Sequence, residues 1–416
     1  MKFRKNARAL LILLLTLCMV LPACSNGIAD PIDDSSLLTE GTGFSENEAL
    51  ALFGKEAGEH TGMFDGPFLY YKGKLYPNSD NGKLTVYRYN IETGESEYAC
   101  QDTVCTHDKN SGCPFAYLDY FGQVVVADGK VIYTTEPQDE NPGHPLEWYD
   151  PQTGEHGVLA IDADNRFVVG GSLYFDRGEP VADIEGDELE PVLLRELWKY
   201  DFAQNKAIRV ASTKDKNDST PEAVLYHGEE RVVISSHNAY DGGVDAEKVY
   251  YYWVDPETGA RTPMTKEGFS GGGEGWFLGD YYLYGEPNGE GGHIMCSLNL
   301  ETGEKKIVSE EGLNLTVVFP TEKYLLSVFK DPEGKATRIL RLYDPTTGEW
   351  LEEEYPLYGE YTGLFLRYYR GKLYFLASLK GNRDPITGEL PETGGYLQWD
   401  ILTGEQRMIP YSIGLL

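Results

Sequence analysis

The chain has 416 residues, with 36 Lys and Arg against 67 Asp and Glu, so its formal net charge is −31. Its apolar fraction of 41% is enough to build a hydrophobic core, which excludes a wholly disordered protein. The excess of carboxylates repels phosphate backbones, so nucleic acid is excluded as a natural partner. Solubility is the simplest reason for this charge, and a cation or a cationic partner is the alternative.

Residues 1–23 have the parts of an export signal. Four basic residues within 2–8 precede an apolar run over 9–20, which is too short to anchor the chain across a bilayer. The following Leu21-Pro22-Ala23-Cys24 resembles the lipobox of bacterial lipoproteins, and this resemblance implies cleavage before Cys24 and lipidation of that cysteine. An ordinary secretory signal with a chance cysteine is the alternative. We expect an extracytoplasmic protein that is anchored to the cell membrane by lipid, with a mature charge of −31 − 4 = −35.

Two short segments precede the main domain. Residues 24–44 are polar and rich in Asp and Ser, which is typical of a flexible, disordered tether. Ser45 and Glu48 form a capping-box pattern ahead of an apolar stretch, so the sequence predicts one short helix within 45–59.

A five-residue turn motif, Asp/Asn-Pro-x-Thr-Gly in its fullest form, recurs along the rest of the chain. The first side chain can accept a backbone N–H two residues on, Pro presets φ for the turn, and the final Gly supplies a positive φ. Each copy therefore predicts a β-hairpin. The copies begin at Asn90, Asp150, Asp255, Asn299, Asp344 and Asp400, and a degenerate copy runs from Asp201 to Asn205.

A short aromatic and aliphatic run precedes each turn, from Gly73-Lys74-Leu75-Tyr76 in the first unit to Gly371-Lys372-Leu373-Tyr374 in the last. The turns start at 90, 150, 201, 255, 299, 344 and 400, so the period is near 50 residues. This period predicts an all-β, seven-bladed β-propeller of four-stranded blades over residues 60–416. An extra copy, Asp384-Pro385-Ile386-Thr387-Gly388, is interpreted as a turn within an insertion, and six or eight blades are the alternatives.

The densest group of reactive side chains is Cys100, Cys105, His107 and Cys113, in the connection between the first two blades. Three thiols and one imidazole are a complete ligand set for a structural zinc ion. A disulfide, most plausibly between Cys105 and Cys113 with Cys100 left free, is the alternative, because an extracytoplasmic setting permits it. Free thiols are a third interpretation. In each case we expect a structural and not a catalytic role.

Two other patterns favour structural interpretations. Gly268-Phe269-Ser270-Gly271-Gly272 matches G-x-S-x-G, but the glycine-rich loop after it does not predict the helix that a nucleophile elbow needs. The residues Trp148, Trp198, Trp253 and Trp399 lie close to the turn motifs, so we expect them to pack between blades and not to stack on sugars.

The lipobox, the recurrent turns and the Gly-Lys-Leu-Tyr runs together resemble the β-propeller lipoproteins of Gram-positive bacteria, a TolB-like group whose functions are largely unassigned. The segment from Cys100 to Cys113 is also similar to a cysteine and histidine segment of that group. The resemblance implies fold and location, and it carries no catalytic residue or cofactor to this chain.

We therefore expect a non-catalytic binding or scaffolding module for a protein, peptide or glycan. A polysaccharide-acting enzyme of the glycoside hydrolase or lyase type, with carboxylates in the channel, is the main alternative. A purely structural surface protein is the third. No cofactor is required, apart from zinc if the Cys/His cluster binds metal.

Overall fold

The structure is a computed structural model. It describes residues 62–74, 84–107, 111–118, 124–136, 144–160, 163, 165–181, 192–214, 218–237, 248–264, 269–270, 275–287, 293–309, 318–320, 324–330, 338–357, 366–380 and 392–410. They lie in one compact unit that spans Thr39–Leu416. The predicted signal, the tether with Cys24 and the predicted helix within 45–59 lie outside the described residues.

The described residues form 29 strands and no helix, which agrees with the all-β prediction. Blade one contains β1 (Phe64–Asp65), β2 (Phe68–Lys74), β3 (Leu84–Asn90) and β4 (Glu95–Tyr98); blade two contains β5 (Val125–Ala127), β6 (Lys130–Thr134), β7 (Leu146–Tyr149) and β8 (His156–Ala160). Blade three contains β9 (Arg166–Val169), β10 (Ser172–Val181), β11 (Val192–Asp201) and β12 (Lys206–Ser212).

The remaining sheets follow in chain order. Blade four contains β13 (Glu222–Tyr226), β14 (Glu229–His237), β15 (Lys248–Val254), β16 (Arg261–Pro263) and β17 (Phe269–Ser270); blade five contains β18 (Trp276–Leu278), β19 (Tyr281–Pro287), β20 (His293–Asn299) and β21 (Lys305–Ser309). Blade six contains β22 (Val318–Pro320), β23 (Leu325–Lys330), β24 (Arg338–Asp344) and β25 (Glu349–Leu357); blade seven contains β26 (Leu366–Tyr369), β27 (Lys372–Lys380), β28 (Glu392–Asp400) and β29 (Gln406–Pro410).

Within the described residues, each sheet contains only strands that are consecutive along the chain and pair antiparallel, and β17 departs from the simple meander by pairing with β15. Six sheets have four strands, and the sheet in blade four has five. The prediction of seven four-stranded blades is therefore confirmed for six of the sheets. The sheet in blade four has five strands because its outer edge is interrupted. Val254 of β15 pairs with Arg261 of β16, whereas Val249 pairs with Phe269 of β17.

The first strands of successive sheets contact one another and form the inner wall of the propeller. Contacts join β5 to β9, β9 to β13, β13 to β18, β18 to β22 and β22 to β26. Between blades one and two, Val126 N donates to Gly62 O at 2.6 Å. Between blades seven and one, the Tyr369 ring stacks on Phe64 at 4.2 Å, and its hydroxyl donates to the Gly66 carbonyl. Side-chain packing therefore closes the circle.

The turn motifs connect the third and fourth strands of every sheet, as predicted. In the second blade, Gly154 N donates to Asp150 O at 2.8 Å, while Asp150 Oδ1 accepts from Gln152 N at 2.8 Å. Gly154 has a φ of 76° and Asn205, at the same position in the degenerate copy, has 50°. The left-handed conformation thus explains why only Gly and Asn occupy this position.

The prediction that a strand of the first blade begins at Gly73-Lys74 is wrong. Gly73 and Lys74 are the last residues of β2, and the tight turn between β1 and β2 is at Gly66-Pro67. In blade two the equivalent turn is Asp128-Gly129, with φ values of 51° and 68°. Two successive positive φ angles define the hairpin turn that best matches strand twist.

The tryptophans pack in the cores between or within sheets, as predicted. Trp399 is 1% exposed, Trp148 and Trp198 border one core cluster, and the Trp253 ring lies 5.4 Å from that of Phe277 in the next blade. Ser270 lies on β17 at a sheet edge. Within the described part of the chain, no helix is long and apolar enough to cross a membrane.

Candidate metal centre

The connection between β4 and β5 fills the interface between the first two blades. Phe115 of this connection has no exposed surface, and its ring meets Tyr133 and Tyr149 edge-on at 4.9 and 5.1 Å. Cys100 and Cys113 belong to the same buried core. The buried part of the connection, around Cys100, Cys113 and Phe115, therefore belongs to the protein core, whereas residues 101–104 are exposed.

The four predicted site residues converge. The Sγ atoms of Cys100, Cys105 and Cys113 and a ring nitrogen of His107 all lie within 4.8 Å of one another. The three cysteines are free, with Cys100, Cys113 and His107 buried and Cys105 partly exposed. In a tetrahedral zinc site, ligand atoms lie about 3.5–3.8 Å apart, so small side-chain shifts of about 1 Å suffice to bring them onto one ion.

Local backbone geometry directs these side chains inward. Asp102 Oδ1 accepts from Val104 N at 3.0 Å and Asp102 O accepts from Cys105 N at 3.1 Å, which makes a tight turn after Cys100. His107 has a φ of 57°, an uncommon conformation for a non-glycine residue. The His107 ring stacks on Tyr98 at 4.0 Å, and this contact fixes the orientation of the imidazole.

Hydrogen bonds already favour a thiolate in the cluster. The Cys113 thiol, the Asp102 backbone, Cys105 and the charge of His107 hold the pKa of Cys100 below its ordinary value, against the opposing effect of burial. The same interaction with Cys100, together with burial, raises the pKa of Cys113. The His107 backbone N–H also donates to Cys105 Sγ at 3.3 Å.

A cavity of about 390 Å³ lies between the cluster and the second blade. Cys100, Cys105 and Cys113 line one side, and the turn 151–154 with His156 lines the other. Gln101 N donates to Tyr149 Oη at 3.2 Å, so a hydrogen bond also ties the cluster segment to β7. Sequence spacing predicts the proximity of the four ligands, but it misses Tyr98, Tyr149 and this turn, because they approach only through the fold.

Cys296 lies apart from the cluster, in blade five, and is fully buried. Its Sγ lies 3.6 Å from Glu286 Oε2, and that carboxylate also accepts from Tyr284 Oη and pairs with Lys305. Burial, followed by the charge of Glu286, raises the pKa of Cys296 to about 12. This thiol therefore stays protonated and is a structural residue. Among the described residues, the Cys100–Cys113 cluster is the one group of Cys, His and acidic side chains placed to hold a metal.

No protein-family model matches the chain, and no curated protein matches it. Among solved structures, a prolyl endopeptidase matches with a TM-score of 0.55 and 14% identity, covering 88% of this chain and 53% of that one. Oligogalacturonate lyase from Vibrio parahaemolyticus matches with a TM-score of 0.50 and 12% identity, covering 83% and 85%. TolB from Acinetobacter baumannii has a TM-score of 0.35 and 13% identity, covering 72% and 65%.

The chain spans about half the length of the peptidases it matches, since it covers 46% of the Pyrococcus horikoshii acylaminoacyl peptidase as well as 53% of the prolyl endopeptidase. At such low identities the similarity concerns the fold alone. The seven sheets form a β-propeller, and the prolyl endopeptidase and the oligogalacturonate lyase share this fold with the chain.

Proposed function

We propose that the protein is a β-propeller lipoprotein, anchored outside the cytoplasm through Cys24, that binds a protein, peptide or glycan without converting it chemically. The export signal and the lipobox support the location, and the propeller supports a binding role because its inner wall and loops offer a rigid surface. The composition of the inner wall is the observation that carries the non-catalytic part of this proposal.

The innermost strands are mainly apolar and aromatic. Their sequences are Phe-Asp in β1, Val-Val-Ala in β5, Arg-Phe-Val-Val in β9, Glu-Ala-Val-Leu-Tyr in β13, Trp-Phe-Leu in β18, Val-Phe-Pro in β22 and Leu-Arg-Tyr-Tyr in β26. Among these seven described strands, the acidic residues are Asp65 and Glu222. Several of their apolar side chains, among them Val125, Val126 and Leu278, are buried between neighbouring sheets, and carboxyl groups are few among the rest. A glycosidase needs two carboxyl groups within about 10 Å.

The two carboxyl groups act in different places. Burial raises the pKa of Asp65, and the charge of Asp150 in the blade-two turn adds to this effect. At the interface of blades four and five, burial raises the pKa of Tyr251 of β15 and of Tyr282 of β19, and the charge of Glu222 adds to this effect. Each carboxyl group thus faces its own blade neighbours, and this arrangement supports binding over acid and base catalysis.

A matched pair of apolar residues tests the proposed surface. Leu225 lies on the innermost strand β13 and Ile307 on the outer strand β21, and each is 48% exposed. We propose to measure binding of the full chain to immobilised neutral glycans and lysine-rich peptides, chosen because the protein is strongly acidic. Leu225→Glu should weaken binding by roughly tenfold, about 1.4 kcal/mol, whereas Ile307→Glu should leave it unchanged.

Enzymatic turnover is measured on the same samples. Release of new reducing ends from a polysaccharide by the wild-type chain, at a rate above that of the buffer, would overturn the non-catalytic proposal. Equal loss of binding in both variants, or no binding to any member of the panel, would overturn the assignment of the inner wall as the binding surface.

A further inference from the structure

We propose that Cys100, Cys105, His107 and Cys113 bind one Zn²⁺ ion in a closed tetrahedral site that folds the connection between the first and the second blade. This inference is independent of the ligand that the propeller binds. The sequence leaves metal and disulfide open, and the arrangement of the four side chains decides between them in favour of metal.

Convergence of all four donor atoms is the first argument. A disulfide between Cys105 and Cys113 needs two sulfur atoms about 2.05 Å apart, and it gives no role to Cys100 or to His107. The structure instead places three sulfur atoms and a ring nitrogen within 4.8 Å of one another, at a spacing that side-chain rotation can contract around one ion.

The donor set identifies the metal. Three thiolates and an imidazole suit zinc, whereas calcium and magnesium require oxygen ligands. Asp102, two residues after Cys100, accepts from Val104 N at 3.0 Å and is not among the groups whose ligand atoms converge. Since four protein ligands complete the tetrahedron, the ion has no open position for substrate, and its role is structural.

The surroundings of the ligands match the needs of a zinc centre. The His107 N–H donates to Cys105 Sγ at 3.3 Å, and the Ser111 hydroxyl lies 3.4 Å from the same sulfur, so both can stabilise a thiolate. Tyr98 stacks on the His107 ring and holds its plane. Such outer contacts orient the ligands of metal sites.

Zinc would have a definite mechanical role here. The segment from Cys100 to Cys113 leads directly to Phe115, which fills the core between blades one and two. A hydrogen bond from Gln101 N to Tyr149 Oη also joins the segment to blade two. Ligand bonds from both ends of the segment would close it around one ion beside this interface, so metal binding would contribute to its folding.

The first experiment measures zinc in the full chain, purified in detergent without chelator, by mass spectrometry of the metal. We expect about one zinc per chain in the wild type, and at least a fivefold loss in Cys105→Ser. Cys296→Ser is the matched control, because it removes a free cysteine outside the cluster and should retain the metal. Cobalt added to the metal-free wild type should give the visible absorption of a tetrahedral thiolate site.

The second experiment uses only the wild type, so it does not depend on whether a variant folds. Alkylation by iodoacetamide is followed by intact mass before and after a chelator is added. We expect three additional thiols to react after chelation. Equal labelling with and without chelator, or a two-proton mass gain on reduction together with absence of zinc, would overturn the proposal.

Discussion

Phe115 is the residue whose removal should most directly weaken the interface between the first two blades. Its side chain has no exposed surface and makes edge contacts with Tyr133 and Tyr149. Exposing a phenyl group to water costs about 2 kcal/mol. A residual cavity of about 80 Å³ adds about 2 kcal/mol. Phe115→Ala should therefore lower the free energy of unfolding by about 4 kcal/mol.

The assay is urea denaturation of the full chain, followed by circular dichroism. Phe202→Ala is the control, because Phe202 is only half-buried in a hairpin turn and has one edge contact, with Tyr200 at 5.0 Å. We expect this control to cost about 1 kcal/mol. If Phe115→Ala costs no more than Phe202→Ala, the connection does not form part of the core and the reasoning about this interface is wrong.

Three further changes test the forces between and within blades. Burial raises the pKa of Glu230, but Lys199 and two hydroxyl donors more than offset this and hold the pKa below its usual value. The contribution of Glu230 to the free energy of unfolding is therefore present above its unfolded pKa and is lost as the pH falls through its folded pKa. Glu230→Gln should make the free energy of unfolding depend less on pH in this acidic range. The side chain of Asp218 is fully buried and accepts two hydrogen bonds from Arg261. Asp218→Ala should therefore lower the free energy of unfolding in urea by about 3 kcal/mol, and adding Arg261→Met should restore part of this loss. Gly154→Ala should cause no steric clash, since nothing lies within 4 Å of the new Cβ, but its positive φ should cost about 1 kcal/mol of backbone strain and lower the melting temperature. Gly154→Asn should lower the melting temperature less, because Asn tolerates this conformation better.

The hairpins were predictable because their determinants are local. An Asp or Asn that accepts backbone N–H groups and a residue with positive φ act within five positions, so Asp150 and Gly154 specify their turn without help from the rest of the fold. The error in blade one has the opposite cause. Gly73 and Lys74 resemble the start of a strand in sequence, and the pairing of Tyr71 with Tyr87 places them at the end of β2.

The four residues of the Cys/His cluster were predictable in identity but not in role. Their short spacing ensures that Cys105 and Cys113 lie near each other, and proximity alone fits both a disulfide and a metal. The choice depends on the left-handed backbone of His107 and on Tyr98 and Tyr149, which strands β4 and β7 bring together. No pattern within residues 100–113 contains that information.

The interface between blades seven and one bears on the order in which the sheets form during synthesis. Side-chain contacts such as that of Phe64 with Tyr369, and a hydrogen bond from the Tyr369 hydroxyl, join these blades, and among the described residues blade one contains no strand from the C-terminal end. Each sheet can be completed as soon as its own strands have emerged, and the circle is joined last. Deletion of β26–β29 would expose two apolar flanks, but it would leave the remaining sheets with every strand they need, so such a truncated chain should retain its β-sheet content and become prone to association at those flanks.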